Sequence, residues 1–327
     1  MNHPHPLKKR VPSLCFFNMK LMLTFTLLAL GYQAASAQSL LQTFGSGANQ
    51  FTMEFVTIGN PNNAADTTGS PNPVGSVAYS YNIGKYEVSR GMIDKANAAG
   101  SLGIQYDSFW SNRANQPATA ITWYEAAKYV NWLNTSTGST AAYNFDGSGT
   151  FQLWSAGDAG YDANNLFRNS LAKYWLPSRN EWYKAAYGNL NGTWNNYATG
   201  SDTPPTAVAS GTAENTAVYR YLHVADITSA GGLSPYGTMA QGGNVSEWVE
   251  TAYDGINDTA GEVREYRGGS AYYDYMSDYL SSGERVGDQP GRELYYFGFR
   301  VASVPEPSAL SLLAIGLGGL ALVRRRK

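Results

Sequence analysis

Of 327 residues only one is cysteine and only three are histidine. The cysteine, Cys15, lies in a segment that reads as a removable leader. What remains has no disulfide, no thiolate metal ligand and no cysteine nucleophile. His3 and His5 lie in the same leader, so His223 stands alone, with the expected role of a surface or hydrogen-bonded histidine. A site built on two or three histidines, for zinc or non-haem iron, is excluded within one chain. Charge is thin as well, at 15% of residues, and that composition does not make a long coiled coil. Disorder is excluded by 8 Trp, 24 Tyr and 12 Phe. Eight of the 23 basic residues sit at the two ends, and residues 38–303 hold 15 Lys and Arg against 24 Asp and Glu, a net charge of −9. An acidic body does not attract phosphate backbones, which argues against nucleic acid as a partner.

Both ends read as addresses. Met19-Lys20 opens a charged start, Leu21 to Leu30 is apolar but for two Thr, and Ala35-Ser36-Ala37 is a small-x-small cleavage site before Gln38. This is the order of a secretory signal cut by signal peptidase, over residues 1–37, with Met19 as the expected true start. At the other end, residues 304–327 hold Pro305-Glu306-Pro307, an apolar stretch over 309–323, and Arg324-Arg325-Arg326-Lys327. Fifteen residues fall just short of the ~17–25 of spanning helices, and the basic end would stay on the cytoplasmic side. The tail resembles the PEP-CTERM sorting signals of Gram-negative bacteria. That resemblance implies an exosortase-type membrane protease, cleavage near the Pro-Glu-Pro and transient membrane association through the apolar helix. It also implies export across the inner membrane and delivery to the cell surface or extracellular matrix.

The body, residues 38–303, suits one large domain or two small ones, and no composition break marks a linker between two cores. Ser89 caps an expected helix to about Ala98, with Gly100 past its end. Thr122 caps a second, Trp123 to about Asn134, with Ala126, Ala127, Val130 and Leu133 on one face. Ser178 and Glu181 form a capping box for a third, closed by Gly188 after Tyr187. Strands are expected over Phe51–Ile58, Val77–Glu87, around Asn244–Val249 and over Phe297–Ala302. Loops rich in Asn, Gly, Ser, Thr and Pro fill much of the rest. The fold class is α+β with little regular structure.

Leu176-Pro177-Ser178-Arg179-Asn180-Glu181-Trp182, Gly242-Gly243-Asn244-Val245-Ser246-Glu247-Trp248, Arg267-Gly268-Gly269-Ser270 and Gly298-Phe299-Arg300 follow one another in the chain. Upstream lie Tyr86-Glu87-Val88-Ser89 and Ala120-Ile121-Thr122-Trp123-Tyr124-Glu125-Ala126. In this order they resemble the motifs of the formylglycine-generating enzyme family, the sulfatase-modifying factors, over about Phe51 to Ala302. The resemblance implies a compact, loop-rich fold related to C-type lectins. It does not carry the chemistry, because function belongs to the site.

Catalytic relatives oxidise a substrate cysteine with oxygen and a copper ion held by two cysteines after R-G-G-S. Here that segment is Ala271-Tyr272-Tyr273-Asp274-Tyr275-Met276-Ser277-Asp278-Tyr279, and the ligand positions fall near Tyr273 and near Ser277 or Asp278. Hard oxygen ligands do not suit Cu(I) as a thiolate pair does. The family also binds structural calcium. The resemblance maps such ligands onto Glu247 and the carbonyls of Gly243 and Val245, with Ala240 where an acidic ligand is expected, and onto Asn215 for a second ion. Asp254, Asp258, Glu262 and Glu265 cluster in sequence and read as an acidic surface loop. Trp123, Trp182 and Trp248 are expected in the core. Tyr272, Tyr273, Tyr275 and Tyr279 are the candidate ligand-binding residues, since aromatic rings suit flat sugar faces and protein partners. The expected function is a non-catalytic binding or matrix module for polysaccharide or a surface protein. The alternatives are a secreted oxidoreductase working without the two cysteines and a carboxylate-dependent hydrolase.

Overall fold

The computed structural model describes residue 1 and residues 39–272 and 277–305. Ala35, Ala37 and Gln38 of the cleavage site, Tyr273 and Tyr275, and Glu306, Pro307 and Arg324–Arg326 of the sorting signal lie outside the described residues. Among the described residues no helix is long and apolar enough to cross a membrane.

The chain begins with a hairpin. Strand β1 (Ser39–Phe44) pairs antiparallel with β2 (Phe51–Ile58), from Ser39 opposite Val56 to Phe44 opposite Phe51. In β1 exposed and half-buried positions alternate, the period of a strand with one wet face. β3 (Tyr81–Gly84) adds to β2. The expected strand over Val77–Glu87 contracts to these four residues. After the short pairs β4 (Asn144–Phe145) with β5 (Phe151–Gln152), β6 (Tyr174–Trp175) and β7 (Thr206–Ala207) with β8 (Thr216–Ala217), a second sheet forms from β9 (Ser246–Ala252), β10 (Arg264–Arg267), β11 (Val286–Asp288) and β12 (Phe297–Phe299). The last strand, β13 (Ala302–Ser303), returns to the first sheet between β3 and β6. The single strand expected over Phe297–Ala302 is therefore two strands in two sheets, joined by Arg300 and Val301.

The three helices start where their caps say. In α1 (Arg90–Gly100) the Ser89 hydroxyl accepts from the Met92 amide. The helix includes Gly100 instead of stopping before it, and Ser101 takes the left-handed turn at φ 53°. In α2 (Trp123–Ser136) Thr122 and Glu125 form a capping box. In α3 (Arg179–Tyr187) Ser178 and Glu181 form another. Each box satisfies two of the amides a helix start leaves unpaired.

Trp123, Trp182 and Trp248 are fully buried, as the motif positions predict. A buried indole N–H without a partner is costly, and all three find one. Trp123 donates to the Val249 carbonyl, Trp248 to the Ile121 carbonyl and Trp182 to the Glu247 carboxylate. Ala126, Ala127, Val130 and Leu133 of α2 face the main core with Trp123 and Trp248. Arg264 is buried too, its guanidinium 3.9 Å from the Phe167 ring centre, and burial pushes its pKa down to about 10.

Candidate functional site

The G-N-V-S-E-W and G-F-R segments meet in a buried ion pair. Arg300 donates from Nε to Glu247 Oε2 at 2.6 Å and from Nη2 to Oε1 at 2.5 Å. Its remaining donors reach the carbonyls of Gly84, Lys85 and Met239. A planar fork matches a carboxylate edge in this way, and lysine could not reproduce it. Glu87 lies beside the pair and accepts from the Asn244 amide at 2.6 Å and from the Val245 backbone amide at 3.2 Å. Asn244 takes the left-handed conformation at φ 60°, which turns its side chain inward.

Arg300 thus pairs with Glu247 and acts on Glu87 only as a nearby charge. Burial first, then the Glu247 charge, pushes the Glu87 pKa well up, against Arg300 and the two hydrogen bonds. Folding therefore holds the Glu87 proton to higher pH than the unfolded chain does. The stability from this group is full below the unfolded carboxyl value of about 4.3 and is lost as pH rises through the folded value. Against wild type, Glu87→Gln is expected to gain relative stability between pH 4 and pH 7, read as the difference in urea midpoints. A relative loss over that interval would show that Glu87 is ionised in the fold.

The residues mapped to calcium are placed as follows. Both oxygens of Glu247 are held by Arg300, and Oε2 also by Trp182. That donor set does not fit a cation, because the guanidinium already occupies the carboxylate edge. Asn215, at φ 51°, accepts from the Thr199 hydroxyl in a different part of the fold. Ala240 also takes the left-handed conformation, at φ 64°, and offers no side-chain oxygen. Among the described residues no three His, Cys, Asp or Glu side chains are grouped to hold a metal. A Cu(I) pair like that of the catalytic relatives has no thiolate here, since Cys15 is the chain's one cysteine.

Of the acidic run, Asp254, Asp258 and Glu262 stay close enough for their charges to act on one another, and Glu265 parts from the expected surface loop. Asp254 and Asp258 are exposed and Glu262 is half-buried. Glu265 is fully buried, and Arg179, Arg267 and Arg285 all pair with it at 2.5–2.9 Å. A carboxylate held by three guanidiniums is not available as a general base.

The tyrosines after Ser270 separate as well. Tyr279 is half-buried and packs with Tyr197, Tyr219 and Leu280 in the interior. Tyr272 instead joins Tyr295, which the sequence places in the same crowded region, in an aromatic patch completed by Phe109 and Trp110, which it does not single out. The Trp110 and Tyr295 rings stack at 4.7 Å. Tyr272 stands edge-on to both, at 5.8 Å from Trp110 and 4.7 Å from Tyr295. Burial, and then the hydrogen bond to Tyr272, pushes the Tyr295 phenol pKa up. Phe109 and Trp110 flank His223, with ring centres 6.0 and 5.9 Å away. Phe109 is 67% exposed, in a molecule whose other large rings are mostly buried.

Backbone bonds behind the patch fix it. The Asp107 carboxylate accepts from the Phe109 and Trp110 amides. Buried Gln116 accepts from the Asn112 and Arg113 amides and donates to the Val224 carbonyl at 2.7 Å, tying the Trp110 loop to the His223 segment. Beside His223 opens a cleft of about 360 Å³ with Asn112, Arg113, Tyr221 and Leu222 in its walls. The arrangement offers flat ring faces beside a polar cleft.

Comparison with known proteins agrees with this architecture. Treponema denticola variable protein 1 superposes with a TM-score of 0.56 at 22% identity, over 82% of this chain and 100% of that one. A structure titled CarF gives 0.54 at 19% identity, over 78% and 99%. PvdO from Pseudomonas aeruginosa gives 0.52 at 16%, over 81% and 98%. At these identities the likeness shows the fold, which is α+β and C-type-lectin-like. No curated protein matches the chain. The PEP-CTERM protein-sorting motif matches residues 303–327, marking an exported, surface-sorted protein that is processed by exosortase. The sulfatase-modifying factor enzyme 1-like domain matches residues 47–304, most of the molecule, and the chain belongs to that family.

Proposed function

We propose that the domain is a non-catalytic binding module of the cell surface or extracellular matrix, and that its ligand is an extracellular polysaccharide. The observation that carries this reading is the patch of exposed Tyr272 with half-buried Trp110 and Tyr295 beside an open polar cleft. Pyranose rings present flat C–H faces that stack on aromatic rings, while their hydroxyls need polar partners at the edge. Asn112, Arg113, Tyr221 and His223 supply such an edge. Trp and Tyr add contact area at low entropy cost, since each fixes two side-chain torsions. The apolar stretch over 309–323 holds the protein at the inner membrane before exosortase cuts it.

Two assays separate this reading from a copper-dependent or cysteine-free oxidase. Incubated with copper, oxygen and a thiol peptide, the protein is expected to form no aldehyde. Passed over the host's immobilised extracellular polysaccharide, it is expected to be retained. Catalytic aldehyde formation would overturn the proposal.

A further inference from the structure

The fold ends abruptly at its sorting signal. β13 is held between β3 and β6, the Val304 amide donates to the Lys173 carbonyl at 3.0 Å and the Val304 carbonyl accepts from Asn82 at 3.2 Å. The apolar stretch begins at Ala309. Five chain steps from Val304 to Ala309 reach about 18 Å at full extension. The headgroup layer on each side of a bilayer is itself about 5–8 Å deep. At most about 18 Å of chain, part of it within the headgroup layer, separates the folded edge from the apolar stretch, so the face from which the chain leaves is the one held near the lipid.

That face has the side chains for it. Val304 and Pro305 form one wall of a second cleft, of about 340 Å³, with Tyr79, Arg168 and Trp175 in its other walls. Around it Leu171 is 60% exposed, Tyr79 46% and Val304 39%. The Tyr79 hydroxyl is tied down to Glu181 at 2.8 Å, leaving the ring outward. Arg168 is balanced by Glu250 and Glu181 and stacks on Trp175, so it adds little net charge to the face. Asp162 also lines the cleft, so its one guanidinium adds no net positive charge, and it is the exposed tyrosine and leucine that suit the membrane–water boundary, where amphipathic rings settle.

We propose that the Tyr79–Leu171–Val304 face docks on the lipid headgroups before the tail is cut. The inference rests on the reading that residues 309–323 enter the membrane. The cleft beside the aromatic patch shares no wall residue with the cleft of this face.

The test uses the chain as it stands after leader removal, residues 38–327, which has no cysteine of its own, with one new cysteine, Leu171→Cys or Phe109→Cys, labelled with an environment-sensitive dye. Both positions are exposed, so the label disturbs little packing. The proteins are mixed with phosphatidylethanolamine–phosphatidylglycerol vesicles and floated. The expected result is flotation of both, with a blue shift at position 171 and none at 109. Flotation with an unshifted label at 171 overturns the docking face while leaving the inserted tail standing. No flotation removes the inserted tail and the inference with it. A shift at 171 that appears only in vesicles made from host membranes assigns the face to a membrane protein and overturns the lipid assignment.

Discussion

Replacing Arg300 with Ala is expected to lower the melting temperature by about 6–20 °C. The Glu247 carboxylate would keep the Trp182 indole as a donor, and the nearby Glu87 would lose the compensating charge of Arg300. The carbonyls of Gly84, Lys85 and Met239 would lose the guanidinium as a donor in the same step, with Lys85 keeping the Met239 amide at 2.8 Å. Breaking a buried pair from one side costs about 3–5 kcal/mol, because the surviving charge stays desolvated. For a domain of this size each kcal/mol moves the melting point by about 2–4 °C. Arg300→Lys is expected to rescue only in part, since an ammonium cannot bridge both carboxylate oxygens and reach three carbonyls. The double variant Arg300→Leu, Glu247→Leu is expected to melt above Arg300→Ala, because neither charge is then left behind. A shift below about 3 °C for Arg300→Ala, measured by calorimetry, would mean that the pair contributes little to the fold.

Trp110→Ala is expected to weaken polysaccharide binding by about 30-fold, which corresponds to about 2 kcal/mol for loss of an anchoring aromatic. Trp110 stacks on Tyr295, meets Tyr272 edge-on and borders His223, so its removal opens the middle of the patch. Stability should change far less. The ring is half-exposed, and an aromatic pair contributes about 0.5–1.5 kcal/mol beyond its buried area. Trp110→Phe keeps a ring face and is expected to restore most of the affinity. Equal weakening by Phe and Ala would show that the indole N–H, not the ring face, is what the ligand meets.

The elements that local chemistry encodes were legible in the sequence. Ser89, Thr122 and Ser178 mark helix starts because a hydroxyl before a helical run satisfies amides within its own turn. Trp123, Trp182 and Trp248 read as core from their motifs. What sequence could not show depends on contacts between distant segments. Phe299 and Ala302 belong to different sheets because Arg300 must turn inward between them to meet Glu247, 53 residues away. Tyr272 and Tyr279 look alike in sequence, yet one joins Trp110 outside and the other packs on Leu280 inside. His223 reads as an isolated surface histidine, and exposed it is, but Gln116 brings its segment against Phe109 and Trp110. The one local hint was Phe109-Trp110 itself, two adjacent large rings in a polar loop with no apolar period around them.

The most direct measurement is a binding isotherm of the purified protein with the host's extracellular polysaccharide, run beside Trp110→Ala and Tyr279→Ala. The account predicts saturable binding by the wild-type protein, its loss at the same concentrations in Trp110→Ala, and its survival in folded Tyr279→Ala. Absence of saturable binding by the wild type, or equal loss in both variants while both remain folded, would contradict it.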